Sequence, residues 1–149
     1  MKFYQIAFFF IISLGLWAEP NLDQSVEEIL NHTRLSRIPS VIAELEARSH
    51  LKVEAGDFMS ARDDLKKAIL LKQSLGMKET EGNAQLLFQM AKLEKKLGHS
   101  CEAVHYTSLA NQIVKRVGIR NEALLAKLGS REQARGKWET CEEVSWLQE

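Results

Sequence analysis

Between Asn83 and Gly118 the apolar residues recur at the three- and four-residue spacing of two amphipathic helices. The first apolar stripe consists of Leu86, Met90, Leu93 and Leu97, and the second of Tyr106, Leu109, Ala110, Ile113 and Val117. Gly98 lies between the stripes and Gly118 follows the second. Glycine tolerates the left-handed backbone that often ends a helix, so this pattern predicts a helical hairpin that turns at Gly98.

The same pattern occurs upstream, where Gly56 takes the place of Gly98. We call the separation of these two glycines along the chain the repeat offset. Further pairs at this offset are Ala61 with Ala103, Ala68 with Ala110, Gly76 with Gly118, Leu45 with Leu87, and Leu51 with Leu93. A third, closer copy is marked by Gly136, Trp138 and Cys141. Small and apolar residues repeat while the charged residues between them change, which is typical of stacked helical repeats.

The remaining patterns predict further helices around these hairpins. The predicted ranges are Asn21–Thr33, Pro39–Ala55, Asp57–Leu75, Ile119–Arg135 and Lys137–Gln148. Asp57 is expected to cap the helix that it precedes, because a carboxylate accepts hydrogen bonds from the unpaired N–H groups of a first turn. The short first helix is expected to cap the repeats, whose terminal apolar faces need covering.

The hairpins resemble the tetratricopeptide repeat, which combines small residues in both helices with a glycine at the turn. The matching residues are Met90, Ala91, Gly98, Ala103 and Ala110 in the central copy, and Leu128, Gly129, Gly136 and Cys141 in the third. The repeat offset exceeds the family's usual period of about 34 residues, as in the long-helix repeats of kinesin light chains. The resemblance implies an all-α solenoid with two full repeats, a truncated third and an N-terminal capping helix. It departs from the family where Lys52, Glu94 and Glu132 replace an aromatic residue, and a generic helical bundle remains the alternative.

The segment Met1–Ala18 matches a secretory signal peptide. Lys2 precedes an apolar run that ends at Trp17, and Ala18 offers a small residue for cleavage. We therefore divide the chain into a signal peptide (1–18), a capping helix and linker (19–38) and a repeat domain (39–149). The expected location is periplasmic or secreted, in a bacterium. An uncleaved membrane anchor is the alternative, and it is the only membrane association that we expect.

Composition and motifs argue against catalysis. The chain has 149 residues with 20 basic and 20 acidic side chains, so it lacks the positive charge typical of nucleic-acid binding. Cys101 and His105 share a helix face, but two ligands are too few for a closed zinc site. The adjacent acids Asp63 and Asp64 point apart and are expected to be solvated. We expect no enzyme activity, cofactor or metal.

Two cysteines, Cys101 and Cys141, lie near the start of the second helix in adjacent repeats. An exported chain with two cysteines often joins them, because its compartment is oxidising. The two residues stand at different distances from their turn glycines, and closure needs the Cα atoms within about 7 Å. Both the bonded and the unbonded state therefore remain open.

The resemblance also implies a binding surface, because the first helices of tetratricopeptide repeats line a concave face that binds peptides or partner segments. Carried over, this lining comprises Glu46, His50, Gln85, Phe88, Gln89, Lys92, Lys96, Ala126, Lys127 and Ser130. Phe88 lies off the stripe of Met90 and Leu93, so it is expected to be an exposed aromatic anchor beside Lys92 and Lys96. The alternatives are that these lysines form an ordinary solvated face and that Phe88 packs against the neighbouring repeat.

These observations favour an exported, non-catalytic scaffold that binds a protein or peptide partner. A structural subunit that stacks on other helical repeats in an envelope complex is the alternative. An uncharacterised helical enzyme is a third reading, but no set of convergent polar residues supports it.

Overall fold

A computed structural model describes residues 21–118, which form an all-α arrangement without β-strands. The five α-helices are α1 (Val26–His32), α2 (Ile38–Glu54), α3 (Phe58–Ser74), α4 (Glu81–Lys96) and α5 (Ser100–Val117), with a 3-10 turn at Leu35–Arg37. The all-α prediction is confirmed for this part of the chain. The predicted third copy, at 119–149, lies outside the described residues.

Short polar side chains cap the N-termini of three helices. Ser25 and Glu28 form a reciprocal capping box at α1, and the Thr80 hydroxyl accepts a hydrogen bond from the Asn83 N–H at α4. Asp57 accepts a 3.2 Å hydrogen bond from the Ser60 N–H at the start of α3, so its predicted capping role is confirmed.

Glycines in the left-handed conformation end α2 and α4 in the same way. Gly56 has φ +82° and Gly98 has φ +83°. In both turns the glycine N–H bonds to the carbonyl three residues earlier at 3.2 Å, and the next N–H bonds to the carbonyl five residues earlier at 2.9 Å. This pair of bonds is the Schellman motif. The predicted interruption at Gly98 is confirmed, and the turn geometry recurs at the repeat offset.

Cross-helix contacts give the helix directions. Arg48 on α2 contacts Asp64 on α3, and Lys52, one turn later on α2, contacts the earlier residue Ser60, so α2 and α3 are antiparallel. Similarly, Arg62 and Phe58 on α3 contact Glu94 and Lys96 on α4, so α3 and α4 are antiparallel as well. Consequently α2 and α4 run in the same direction on either side of α3, and α5 packs on α4.

One continuous apolar core joins the helices, and the predicted stripes supply most of it. Leu86, Met90 and Leu93 are buried on α4, as are Tyr106, Ala110 and Ile113 on α5. Val117 differs from the prediction: its side chain is 47% exposed in the last turn of α5. Apolar burial of this kind is the main source of the stability of a helical fold.

Candidate partner-binding face

The exposed side of α4 carries four of the predicted binding residues. Gln85, Lys92 and Lys96 are exposed and Gln89 is half-buried. Their spacings of four, three and four residues place them along one line on the helix surface. These long polar side chains therefore form a straight stripe on α4.

A second stripe lies on α2, one repeat offset before the first. Its members are Ala43, Ala47, His50 and Glu54, all of which are exposed. Glu46, which lies beside this stripe, accepts a 2.7 Å hydrogen bond from the Gln89 side chain on α4. Since this bond crosses between two helices that run in the same direction, the stripes lie side by side. We call these two stripes together the α2–α4 face.

The prediction of Phe88 as an exposed anchor is wrong, because its side chain is only 8% exposed and belongs to the core. Helix α4 packs against both α3 and α5 and therefore buries a wider arc than the stripe of Met90 and Leu93. Phe88 lies at the edge of that arc, one repeat offset after Glu46. The sequence pattern of a single stripe did not reveal the second neighbouring helix.

A different aromatic residue lies beside the lysines. The Lys96 ammonium lies 5.0 Å from the ring centroid of Phe58, which is half-buried at the start of α3. This distance is within the range of a cation–π contact. Phe58 and Lys96 are far apart along the chain, and the packing of α3 against α4 brings them together.

The remaining predicted residues divide into two groups. His50 is exposed on α2, and Cys101 is half-buried in the first turn of α5. Outside the described residues lie the other predicted positions, Ala126, Lys127, Ser130 and Cys141. Their membership of the binding face, and the pairing of Cys101 with Cys141, therefore stay predictions.

Buried carboxylates behind this face were not expected from the sequence. Asp64, predicted to be solvated, is 2% exposed, and its oxygens lie 2.6 Å from Arg48 and 2.7 Å from Lys52. Glu94 is 0% exposed, and it contacts Arg62 and His99 at 2.6 and 2.7 Å. Lys52 and Glu94 are two of the positions where the chain departs from the repeat family. Both residues now pair with α3.

The carboxylates stabilise the charged form of the two arginines. The hydrogen bond to Asp64 raises the pKa of the Arg48 guanidinium, and the hydrogen bond to Glu94 raises that of Arg62. These two ion pairs fix α3 between α2 and α4, which positions the helices of the α2–α4 face. Their role is therefore structural. The only sign of these ion pairs in the sequence is that the acid and the base of each pair lie on different predicted helices.

Within residues 21–118 no group of three or more metal-binding side chains converges, and no helix is long and apolar enough to cross a membrane. A scan against protein-family models matches no family, and comparisons with curated proteins and with solved structures find no match. The likeness to tetratricopeptide repeats therefore rests on the residue pattern.

Proposed function

We propose that this protein is an exported, non-catalytic scaffold of tetratricopeptide-like repeats that binds a protein partner through the α2–α4 face. The observation that supports a repeat scaffold is the recurrence of the same Schellman turn at Gly56 and at Gly98, one repeat offset apart. The proposal includes a solenoid of hairpins that continues beyond Gly118 into the third copy.

The exposed composition of the face supports binding rather than catalysis. Lys92 and Lys96 give the surface of α4 positive charge. On α2, the short side chains of Ala43 and Ala47 leave room for the backbone of a partner to approach the helix. Long polar side chains beside small ones can accommodate a segment and orient it with hydrogen bonds and charge. With Phe88 buried, the half-buried Phe58 ring next to Lys96 offers an aromatic contact.

Affinity capture from the native envelope fraction tests this function. The bait is the mature chain, as wild type and as the variants Lys92→Glu and Lys95→Glu. Both lysines are exposed on α4, but Lys95 lies off the stripe, so it is a matched control for charge. We expect Lys92→Glu to lose the partner and Lys95→Glu to retain it, with unchanged melting temperatures. Equal capture by all three would place the binding surface elsewhere.

One observation favours stacking on other helical repeats as a second function. Leu51 on α2 is 65% exposed, whereas Leu93, at the equivalent position of α4, is 2% exposed. Helix α3 packs beside α4, whereas the short α1 makes its main contacts with α3 and not with α2. This open edge of α2 could receive a helix from another protein. Leu51→Glu would then release a stacked partner and leave binding at the α2–α4 face unchanged.

A further inference from the structure

The two stripes of the α2–α4 face are complementary to each other in size and in charge. Positions one repeat offset apart pair Ala43 with Gln85 and Ala47 with Gln89, a small residue with a long one in each case. At the end of the helices the same offset pairs the exposed acid Glu54 with the exposed base Lys96. A surface whose two halves complement each other can bind a second copy of itself.

The helix directions set the geometry of such a pair. Because α2 and α4 run in the same direction, a two-fold axis parallel to them and midway between the stripes places α2 of one copy over α4 of the other. Glu54 of each copy then lies opposite Lys96 of its partner. The exposed side chain of Gln85 lies over Ala43 of the partner, where short side chains let helices approach closely. Gln89 lies over Ala47 and keeps its hydrogen bond to Glu46 of its own chain.

The fourth pair of positions is compatible with this arrangement. His50 falls opposite Lys92, where a neutral imidazole can accept a hydrogen bond from the ammonium group. Lys96 already lies over the Phe58 ring and remains exposed, so its charge is held at the surface rather than buried. A charge in this position can attract a carboxylate from another molecule at a smaller entropic cost than a free lysine side chain.

We infer that the partner of the α2–α4 face is a second copy of this chain, bound as a symmetric dimer through paired Glu54–Lys96 contacts. This inference rests on the proposed function, and it identifies the partner. Helices of 16 and 17 residues are about 25 Å long, so two of them bury less than a standard interface of about 800 Å² per partner. The dimer should therefore be weak and concentration-dependent.

Sedimentation velocity of the mature chain between about 1 and 200 μM tests this dimer, a range that suits a small interface. We expect Lys96→Glu and Glu54→Lys each to raise the dimer Kd about tenfold, because symmetry removes two ion pairs at once. The double variant Glu54→Lys/Lys96→Glu restores the opposite charges in reverse and should return the Kd to within about threefold of wild type. Ala47→Arg should abolish the dimer, because the large side chain would fill the space between Ala47 and Gln89 of the other copy.

Two control variants make the outcome specific to this face. Lys95→Glu changes the same charge off the stripe, and Leu51→Glu alters the open edge of α2; neither should affect the dimer. A chain that stays monomeric at every concentration, or a double variant no better than the single ones, would overturn the inference. Dissociation by Leu51→Glu would instead assign the dimer to the edge. If the chain is monomeric but Lys92→Glu still loses a captured protein, the proposed function stands with a different partner.

Discussion

Glu94 shows how a single charged residue can stabilise the packing of two helices. Its side chain is fully buried between Arg62 of α3 and His99 at the start of α5, so both oxygens have a partner. A buried charge is tolerated when it is paired, and removing only one member of the pair leaves the other without compensation. The side chain of Arg62 is 30% exposed and can turn towards water, which limits that loss.

Replacement of Glu94 by Leu should therefore destabilise the fold by about 2–3 kcal/mol, below the cost of breaking a fully buried pair. The double variant Arg62→Met/Glu94→Leu should recover most of this loss, because two apolar side chains of similar size replace both charges. Urea unfolding of the single and double variants measures the coupling. Additive losses would show that the ion pair does not link α3 to α4.

Asp57 should make the stability of α3 depend on pH in the acid range. The hydrogen bonds from the Ser60 hydroxyl and N–H hold the pKa of Asp57 below its ordinary value of about 4. A lowered pKa in the folded state means that the stabilisation is present at neutral pH. It is lost as the pH falls from the ordinary value through the lowered one.

Asp57→Asn provides the matched variant, since asparagine also caps a helix but does not titrate. The stability advantage of wild type over this variant should shrink as the pH falls from 5 towards 3, a window set by the ordinary and lowered values of the aspartate. Urea unfolding at several pH values measures it, and the capping Glu28 is common to both proteins. A difference that stays constant with pH would contradict the assignment.

At the scale of helices and turns, the Schellman turn depends on a backbone conformation and not on side-chain packing. A Cβ atom built on Gly98 meets no atom within 4 Å outside the adjoining backbone, so the surrounding structure leaves space for a side chain. The cost of substitution comes from φ +83°, which places a Cβ close to the following carbonyl oxygen.

Gly98→Ala should thus destabilise the protein by about 1 kcal/mol, and Gly98→Val by about 1–2 kcal/mol. Gly82, in the first turn of α4, is the matched control because its φ is not positive. A Cβ there meets only the flexible end of Lys72, which can move aside. Gly82→Ala should be neutral or stabilise by up to about 1 kcal/mol. Thermal melting of the variants compares them, and equal effects would contradict the conformational explanation.

At the scale of the whole molecule, the proposed function requires export. Residues 1–20 fused to a reporter that is active only outside the cytoplasm should give activity, because Lys2 and the following apolar run have the composition of a signal peptide. Mass spectrometry of the native protein should find a mature chain that begins near Glu19. A membrane-bound chain that retains Met1 would support the anchor alternative.

The helices and their ends follow from local patterns in the sequence. The three- and four-residue apolar spacing predicted α2 to α5 to within a few residues, and the recurring glycines predicted the turn positions. These features depend on interactions within one helix or one turn, which neighbouring residues determine. The cap at Asp57 was predictable for the same reason.

The neighbours of each helix depended on the tertiary structure. Phe88 is buried because α4 has packing partners on two sides, and no spacing along α4 alone reports a second partner. Asp64 on α3 can be buried because α2 supplies basic side chains to it, and Glu94 on α4 can be buried because α3 supplies Arg62. The sequence by itself therefore determined which segments are helical and where they turn. Packing between helices decided which polar and aromatic side chains remain on the surface, because burial depends on residues that are remote along the chain.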